Sequence, residues 1–565
     1  MLAAIVLKLN LKIHGFHTKT VSRYIRYVSS VSPYQLPHKI SFLSVVGNYP
    51  VLLTFALIAL LYYVDKKIRH RPTLPLPPGP KRLPLVGNLF NAPPGDEVHK
   101  IYHQWTAQYG SDVLYMKIAT QPVVILNSSK ACIDLLEKRS NNYSDRPYSA
   151  IDELLGLDFL LVFMGYNQEW RSHRKLFHQY FNSVVSPQYA SEQVKKTREF
   201  LSRSLKSCED FSNSIRLTLG SSILKVVYGV DVNDLNHPYI QDIHAGMDCL
   251  NEAHTANKYW IDFFPMFKNI PKWIPGVRFK RFAEENKSVV QLMRRKPYDD
   301  VKAAAETSPV APSMTSILLG ELQTLSTQVS PDDYIKEEEM AINVTGIAYA
   351  AGTDTSSASV AGFFVAPATR PEIRRKAQAE LDAHIGLSRL VDDSDYNSLP
   401  YISAIALEVM RFRPAAPLGV PHRVMEDDEY NGYLIPKGAM VFSNIWAALR
   451  DPNEYPNPDT FDPERFLKDG KLDPSVRDPG TLVFGFGRRI CPGRHFSNMG
   501  VFLIMASVLQ VYNIEPAKDS NGDYVDLDTI KYAPGVVATP DRVPCVLKVR
   551  SEEAKRLILE AGDAQ

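Results

Sequence analysis

The 565-residue chain has no aspartate or glutamate before Asp65. Cysteine is also scarce. The five cysteines (Cys132, Cys208, Cys249, Cys491, Cys545) are widely separated, odd in number and never in a C-x-x-C pair. That spacing excludes a disulfide framework and a zinc site, and it suits a reducing, cytosol-facing domain. Net charge is nearly absent: 64 basic against 62 acidic residues leave +2, which excludes nucleic acid as a general polyanion partner. What remains is 45% hydrophobic with 40 prolines, an ordinary globular composition rich in turns.

Within the acid-free stretch, residues 42–64 are almost wholly apolar, broken mainly by Asn48 and Pro50. About 20 apolar residues span a bilayer as a helix. The basic run Lys66, Lys67, Arg69, His70 and Arg71 follows directly and places the next domain on the cytoplasmic side. The sequence therefore predicts a basic extension over 1–41, a single transmembrane helix over 42–64 and a basic, proline-rich hinge over 65–80. The expected location is the endoplasmic reticulum membrane. Residues 1–40, basic and serine-containing, also suit a mitochondrial transit peptide, which stands as the alternative.

Further along, 113–118 and 122–126 read as two strands joined by a turn, and 130–139 as a helix. Residues 190–330 are helical in pattern. Ser330-Pro331-Asp332-Asp333 is a helix start, with a capping serine, proline at the first position and acids in the first turn. The helix it opens is expected to run to about Phe364, with Pro367 ending or kinking it early. In its middle lies Ala351-Gly352-Thr353-Asp354-Thr355-Ser356, unfavourable for a helix interior. Ala348, Ala351 and Thr355 share one face, and small residues there leave room for something flat. A loosely packed helix is the plainer alternative for this segment alone. Trp170 and Arg174 lie one turn apart, an aromatic and a cation on one face, or simply a solvated basic helix with a core tryptophan.

The most informative stretch is Phe484-Gly485-Phe486-Gly487-Arg488-Arg489-Ile490-Cys491-Pro492-Gly493. Its glycines allow a tight turn and close approach to a flat ligand. A lone thiolate there can bind a metal from one side, and the arginines can pair with carboxylates. Phe484, Gly487, Arg489, Cys491 and Gly493 fit every fixed position of the cysteine-ligand loop of the cytochrome P-450 family, F-x-x-G-x-R-x-C-x-G. The sequence resembles that family over roughly residues 70–550. The segment at 351–356 resembles its oxygen-activation motif, Trp170 and Arg174 its W-x-x-x-R pair, and Pro75 to Pro80 its proline-rich hinge. Motifs near 421–427 and 444–451 resemble fungal members that oxidise secondary metabolites.

The resemblance implies a mainly α fold with a smaller β part, occupying 81–550 and followed by a tail at 551–565. It implies haem b with Cys491 as axial thiolate, which favours O–O cleavage. Asp354 and Thr355 would relay protons. Trp170, Arg174, Arg489 and, from Pro421-His422-Arg423, Arg423 would hold the propionates. Glu408, Arg411 and Arg465 would form a structural cluster that steadies the cysteine loop. One oxygen atom from O2 would enter an apolar small substrate. Electrons would come from NADPH through NADPH–cytochrome P-450 reductase, with cytochrome b5 as a second donor. Arg171, Lys175, Arg488 and Arg494 would form the docking face. A haem-thiolate isomerase or dehydratase, and a non-catalytic haem-binding membrane protein, are the other classes open.

Overall fold

The computed structural model describes residues 74–563, except 85, 94–96, 207–210, 256–259, 263, 272, 275–276, 528–529, 531–534 and 541. The expected anchor at 42–64 and most of the hinge lie outside the described residues. Among the described residues no helix is long and apolar enough to cross a membrane.

Helices dominate. They are α1 (Val98–Tyr109), α2 (Ala150–Leu155), α3 (Gln168–Phe181), α4 (Ala190–Lys206), α5 (Phe211–Tyr228), α6 (Pro238–Ala253) and α7 (Arg278–Ala305). There follow α8 (Met314–Leu325), α9 (Pro331–Thr369), α10 (Pro371–His384), α11 (Pro400–Phe412), α12 (Arg494–Val511) and α13 (Glu552–Asp563). A four-stranded sheet runs in the order β1 (Val113–Ile118), β2 (Gln121–Leu126), β6 (Met440–Ser443), β3 (His422–Arg423). β1 and β2 form the expected hairpin, with Val113 opposite Leu126. β6 joins in parallel, Val123 opposite Met440, because a long helical excursion separates it from β2. Two-stranded ribbons pair β4 (Asp428–Tyr430) with β5 (Tyr433–Ile435), β7 (Leu467–Lys468) with β8 (Lys471–Leu472), and β9 (Tyr512–Pro516) with β10 (Cys545–Val549).

α9 is the central element. Ser330 caps it, its hydroxyl accepting from the Asp333 N–H at 3.2 Å. Residues 341–350 are all buried, so the helix is packed on every side there. The early stop expected at Pro367 does not occur, because the helix continues to Thr369. Proline removes one N–H bond and crowds the carbonyl four residues back. This close to the end, little helix remains to be disturbed, and Pro371 opens α10 immediately afterwards. The helix expected over 130–139 begins as α-helix and turns to π over Ile133–Glu137.

Two boundaries shift. Residues 75–78 are not a free hinge: the Pro78 carbonyl accepts from Tyr115 N–H at 2.9 Å and the Pro75 carbonyl from Leu434 N–H at 2.8 Å. A β-carbon at Gly79 would stand 2.1 Å from the Tyr115 carbonyl oxygen, so only glycine allows this approach. At the other end, the expected tail forms α13, whose Ala554 and Ile558 are fully buried in the same core as α12. An apolar stripe four residues apart is enough to dock a short helix.

Glu408 and Arg411, one turn apart on α11, are both completely buried. The carboxylate accepts from Arg411 Nε at 2.7 Å and Nη2 at 2.8 Å, from the Asp462 N–H at 2.7 Å and from Arg465 Nε at 3.3 Å. Arg411 also donates to the carbonyls of Leu449, Pro458 and Thr460, and Arg465 to those of Pro456, Asn457 and Thr460. The three residues thus meet, as expected, and bind α11 to the chain leading into the cysteine loop. Removing one member of a buried ion cluster costs about 3–5 kcal/mol, against a usual total of about 5–15 kcal/mol. Glu408→Ala is therefore expected to yield little folded, haem-loaded protein. Normal haem content per chain in that variant would show that the cluster is dispensable.

Candidate active site

The cysteine loop follows a short helical turn over Gly480–Val483 and ends at Gly493, the N-cap of α12. The Cys491 N–H donates to the Phe484 carbonyl at 2.6 Å and closes the loop. Gly487 has φ +50°, and a β-carbon on it would lie 2.6 Å from Ser140 Cβ and 2.9 Å from the Leu136 carbonyl oxygen. Its N–H donates to the Glu137 carboxylate, which the π turn places beside it. The two glycine demands of the motif are thus a left-handed turn and a near collision.

Cys491 is half-buried. Burial pushes its thiol up, while the N–H groups of Gly493 and Arg494 and the charges of Arg174 and Arg494 favour the thiolate. The first turn of α12 therefore points its free N–H groups at sulfur. A cation on the sulfur would complete what these groups begin. Among the described residues no three of His, Cys, Asp and Glu converge as a metal site. Cys491 would thus hold a metal from one side only.

Ser356 on α9 and Ser497 on α12 share a hydrogen bond at 2.8 Å, which brings the mid-helix motif close to the cysteine loop. In this otherwise packed helix, Ala351 and Thr355 are exposed. Ala348, expected on the same open face, is buried in the apolar cluster instead. The Thr355 hydroxyl donates to the Ala351 carbonyl at 2.9 Å. Its neighbour Asp354 points elsewhere and is 1% exposed. Neither carboxylate oxygen has a hydrogen-bond partner, and Arg216 Nε of α5 stands 3.6 Å away. Burial pushes the Asp354 carboxyl above the usual range, Arg216 partly offsets that, and Asp248 adds to it.

A second group of residues is strongly cationic. Arg489 is buried and donates from Nε, Nη1 and Nη2 to the carbonyls of Ser144, Leu161 and Met164 at 2.7, 3.2 and 2.7 Å. Three of its five N–H groups are thus committed to the protein. Its guanidinium lies 4.4 Å from the centroid of the Trp170 ring. Burial lowers it to about 10, with Asp145 opposing and Arg174 adding. Trp170 is buried and its indole N–H has no partner. Arg174 is half-buried, and among the described residues it makes no ion pair with a carboxylate. His173 of the same helix is 3.1 Å from Asn343 of α9, which fixes α3 against the central helix.

The sequence reading placed Arg423 in this group; it lies at the end of the sheet, beside Asp145. Successive strand residues point to opposite faces. On β3 the Arg423 side chain is 47% exposed, pairing with Asp145 at 3.4 Å, while His422 is buried. His422 Nδ1 is 2.6 Å from the Tyr143 carbonyl. Burial, Arg146 and Arg489 hold its imidazole well below the ordinary value, so it is neutral. Arg146, also missed, is buried and donates to the carbonyls of Val420 and Pro421 at 2.7 and 2.8 Å, with its Nε unpartnered. No pattern marks it in the sequence, since it sits in an irregular loop and is gathered in only by folding.

Arg146 and Arg489 thus face one carboxylate, Asp145, which Arg423 already engages, while Arg174 faces the Cys491 thiol and Arg494. Buried charge demands an opposite partner. The excess positive charge, the orphaned indole N–H, the half-buried thiol and the open face of α9 fit a flat group with a metal centre and two carboxylates. Of the expected docking cations, Arg171 and Arg488 converge on Tyr166, Arg488 donating to its hydroxyl at 2.8 Å and Arg171 lying 4.9 Å from its ring centroid.

The family model described as Cytochrome P450 matches residues 77–535. Cytochrome P450 monooxygenase COX1 of Coprinopsis cinerea is 36% identical over 522 residues, covering 90% of this chain and 98% of that protein. Cytochrome P450 monooxygenase ple1 of Rhodocybe pseudopiperita is 36% identical over 513 residues, covering 90% and 96%. Tryptamine 4-monooxygenase of Psilocybe cyanescens is 36% identical over 510 residues, covering 89% and 98%. The chain belongs to the cytochrome P450 family, as a haem-thiolate monooxygenase that receives electrons from a redox partner.

Proposed function

We propose that the protein inserts one oxygen atom from O2 into an apolar small organic substrate of fungal secondary metabolism, held between the open face of α9 and the cysteine loop. The Ser356–Ser497 hydrogen bond, which ties the motif holding Thr355 to the helix that begins just after Cys491, carries this reading. The family names of its relatives, one of them acting on tryptamine, support a biosynthetic substrate without selecting one. Haem, when bound, supplies the redox-active iron at which O2 is reduced. Cys491 would hold its iron through the thiolate, favoured by the first N–H groups of α12. Trp170 Nε1, Arg174, the two free N–H groups of Arg489, Arg146 and His422 would hold its carboxylates. Phe484, Gly487 and Gly493 shape the loop so that sulfur presents towards the open face.

Thr355 exchanges its bond to the Ala351 carbonyl for one to the reacting group, since a hydroxyl both donates and accepts. Asp354, its carboxyl raised by burial, takes up a proton more readily than a free aspartate. It lies beside partly exposed Arg216 and, on α6, exposed Asp248, a route towards solvent. Electrons come from NADPH through the cytochrome P450 reductase, steered to the cationic face of Arg171, Lys175, Arg488 and Arg494. Residues 42–64 anchor the protein in the endoplasmic reticulum with the catalytic unit facing the cytosol, on the strength of their composition and the basic run that follows.

Cys491→Ala is expected to abolish the red-shifted Soret band of the reduced carbon monoxide complex. Retention of that band would remove Cys491 as ligand. Thr355→Ala is expected to keep haem and substrate binding while the product formed per NADPH falls severalfold and hydrogen peroxide rises. Asp354→Asn is expected to slow turnover by about 10²-fold, the scale of a lost proton transfer, with a smaller effect on substrate affinity. Unchanged coupling in Thr355→Ala would take that residue out of the reaction.

A further inference from the structure

α2 and the end of α6 lie over the apolar cluster that includes Ile347 and Ala348 of α9. Two ionic links fasten them together. Asp152, on α2 and buried, accepts from or pairs with His254 Nε2 at 2.9 Å. His254 terminates α6 and stacks on Phe163 with ring centroids 4.5 Å apart and an interplanar angle of 17°. Asp262, in the following turn, accepts from the N–H groups of Ala150 and Ile151 at 2.7 and 3.2 Å and from the Ser149 hydroxyl at 3.2 Å. A carboxylate from another segment thereby caps α2. The second oxygen of Asp152 is buried without a hydrogen-bond partner, so His254 is the group that answers its charge. On the surface a parallel tie joins the same two segments: Lys268 Nζ is 2.9 Å from Glu153, and Tyr148 bonds to both.

We propose that Asp152, His254 and Asp262 are positioning residues that clamp α2 to the end of α6 and so set how readily a substrate passes to the open face of α9. The proposal rests on reading that face as the site of oxidation. Nothing in the clamp touches the reacting atoms. Its members come from two segments about a hundred residues apart, which the Lys268–Glu153 pair and Tyr148 also join.

The charges predict when the clamp weakens. Burial pulls His254 down, but the charge and hydrogen bond of Asp152 and the charge of Asp262 outweigh it and hold the imidazole above its ordinary value. Burial and Asp152 push Asp262 up, with Ile151, His254 and Ala150 opposing. The remaining charged groups around Asp152 are Glu153 and Asp158, the latter answered by Arg294 of α7. A raised histidine contributes its stabilisation below the unfolded value and loses it as pH rises through the folded one. Above that point the buried Asp152 and the half-buried Asp262 carboxylates interact without the imidazolium charge that offsets them, and the clamp loosens.

The test uses the haem-loaded protein and 4-phenylpyridine, which is uncharged across the range and shifts the Soret band when its nitrogen reaches iron. Stopped-flow association is followed between about pH 6.5 and 9, where histidine titrates. The wild type is expected to admit the probe about tenfold faster at the alkaline end. His254→Gln should be fast at all pH values, and Asp152→Asn should shift the transition to lower pH, because His254 loses its main opposing charge. A flat pH profile in the wild type, or an unchanged profile in His254→Gln with its carbon monoxide spectrum intact, would overturn the clamp alone. No Soret shift in wild type that retains the thiolate-type carbon monoxide band would overturn the reading of the open face, and the clamp with it.

Discussion

One buried carboxylate, Glu408, holds three stretches of chain in register. It receives both nitrogens of Arg411, the backbone of Asp462 and Arg465, and those arginines in turn satisfy five further carbonyls between 449 and 460. Irregular chain inside a protein must account for each polar backbone group. Here two arginines do so for the whole segment that leads into the cysteine loop.

The site is electrostatically unfinished without its cofactor. On one side are three buried or half-buried arginines and an indole N–H with too little negative charge to answer them. On the other are a thiol held up by burial and helix N–H groups aimed at the sulfur. Each alone is destabilising, because desolvated charge and unpaired donors are costly. Together they describe the charges a haem brings. Haem binding therefore contributes to folding, as any ligand that binds only the native state does. Behind α9, Asp354 is set apart from this cationic group and keeps a raised carboxyl facing Arg216. Asp354 therefore lies apart from the cations around Trp170.

Most of this architecture is legible where local chemistry decides it. The hairpin of β1 and β2, the Ser330 cap and the long helix through 351–356 follow from alternation, capping and periodicity. The cysteine loop is legible because its spacing is set by a left-handed glycine and a near contact that no other residue tolerates. Errors fall where a neighbour distant in sequence decides. Pro367 stays helical because the helix is about to end in any case. Residues 552–563 dock through two small apolar side chains. His422 faces inward and Arg423 outward on a strand only two residues long, which carries no alternation to read.

The sequence alone determined the family, and it singled out the cysteine loop, the mid-helix Asp354-Thr355 pair and the Glu408, Arg411 and Arg465 cluster, since each lies in a short motif of fixed spacing. Only the tertiary structure decided which cations gather near Trp170 and what joins α2 to the end of α6. Arg146 joins Arg489 across more than three hundred residues, and Asp152 meets His254 across about a hundred. Such pairings depend on burial and on a missing opposite charge, which are properties of the packed chain and leave no periodicity in the residues that make them.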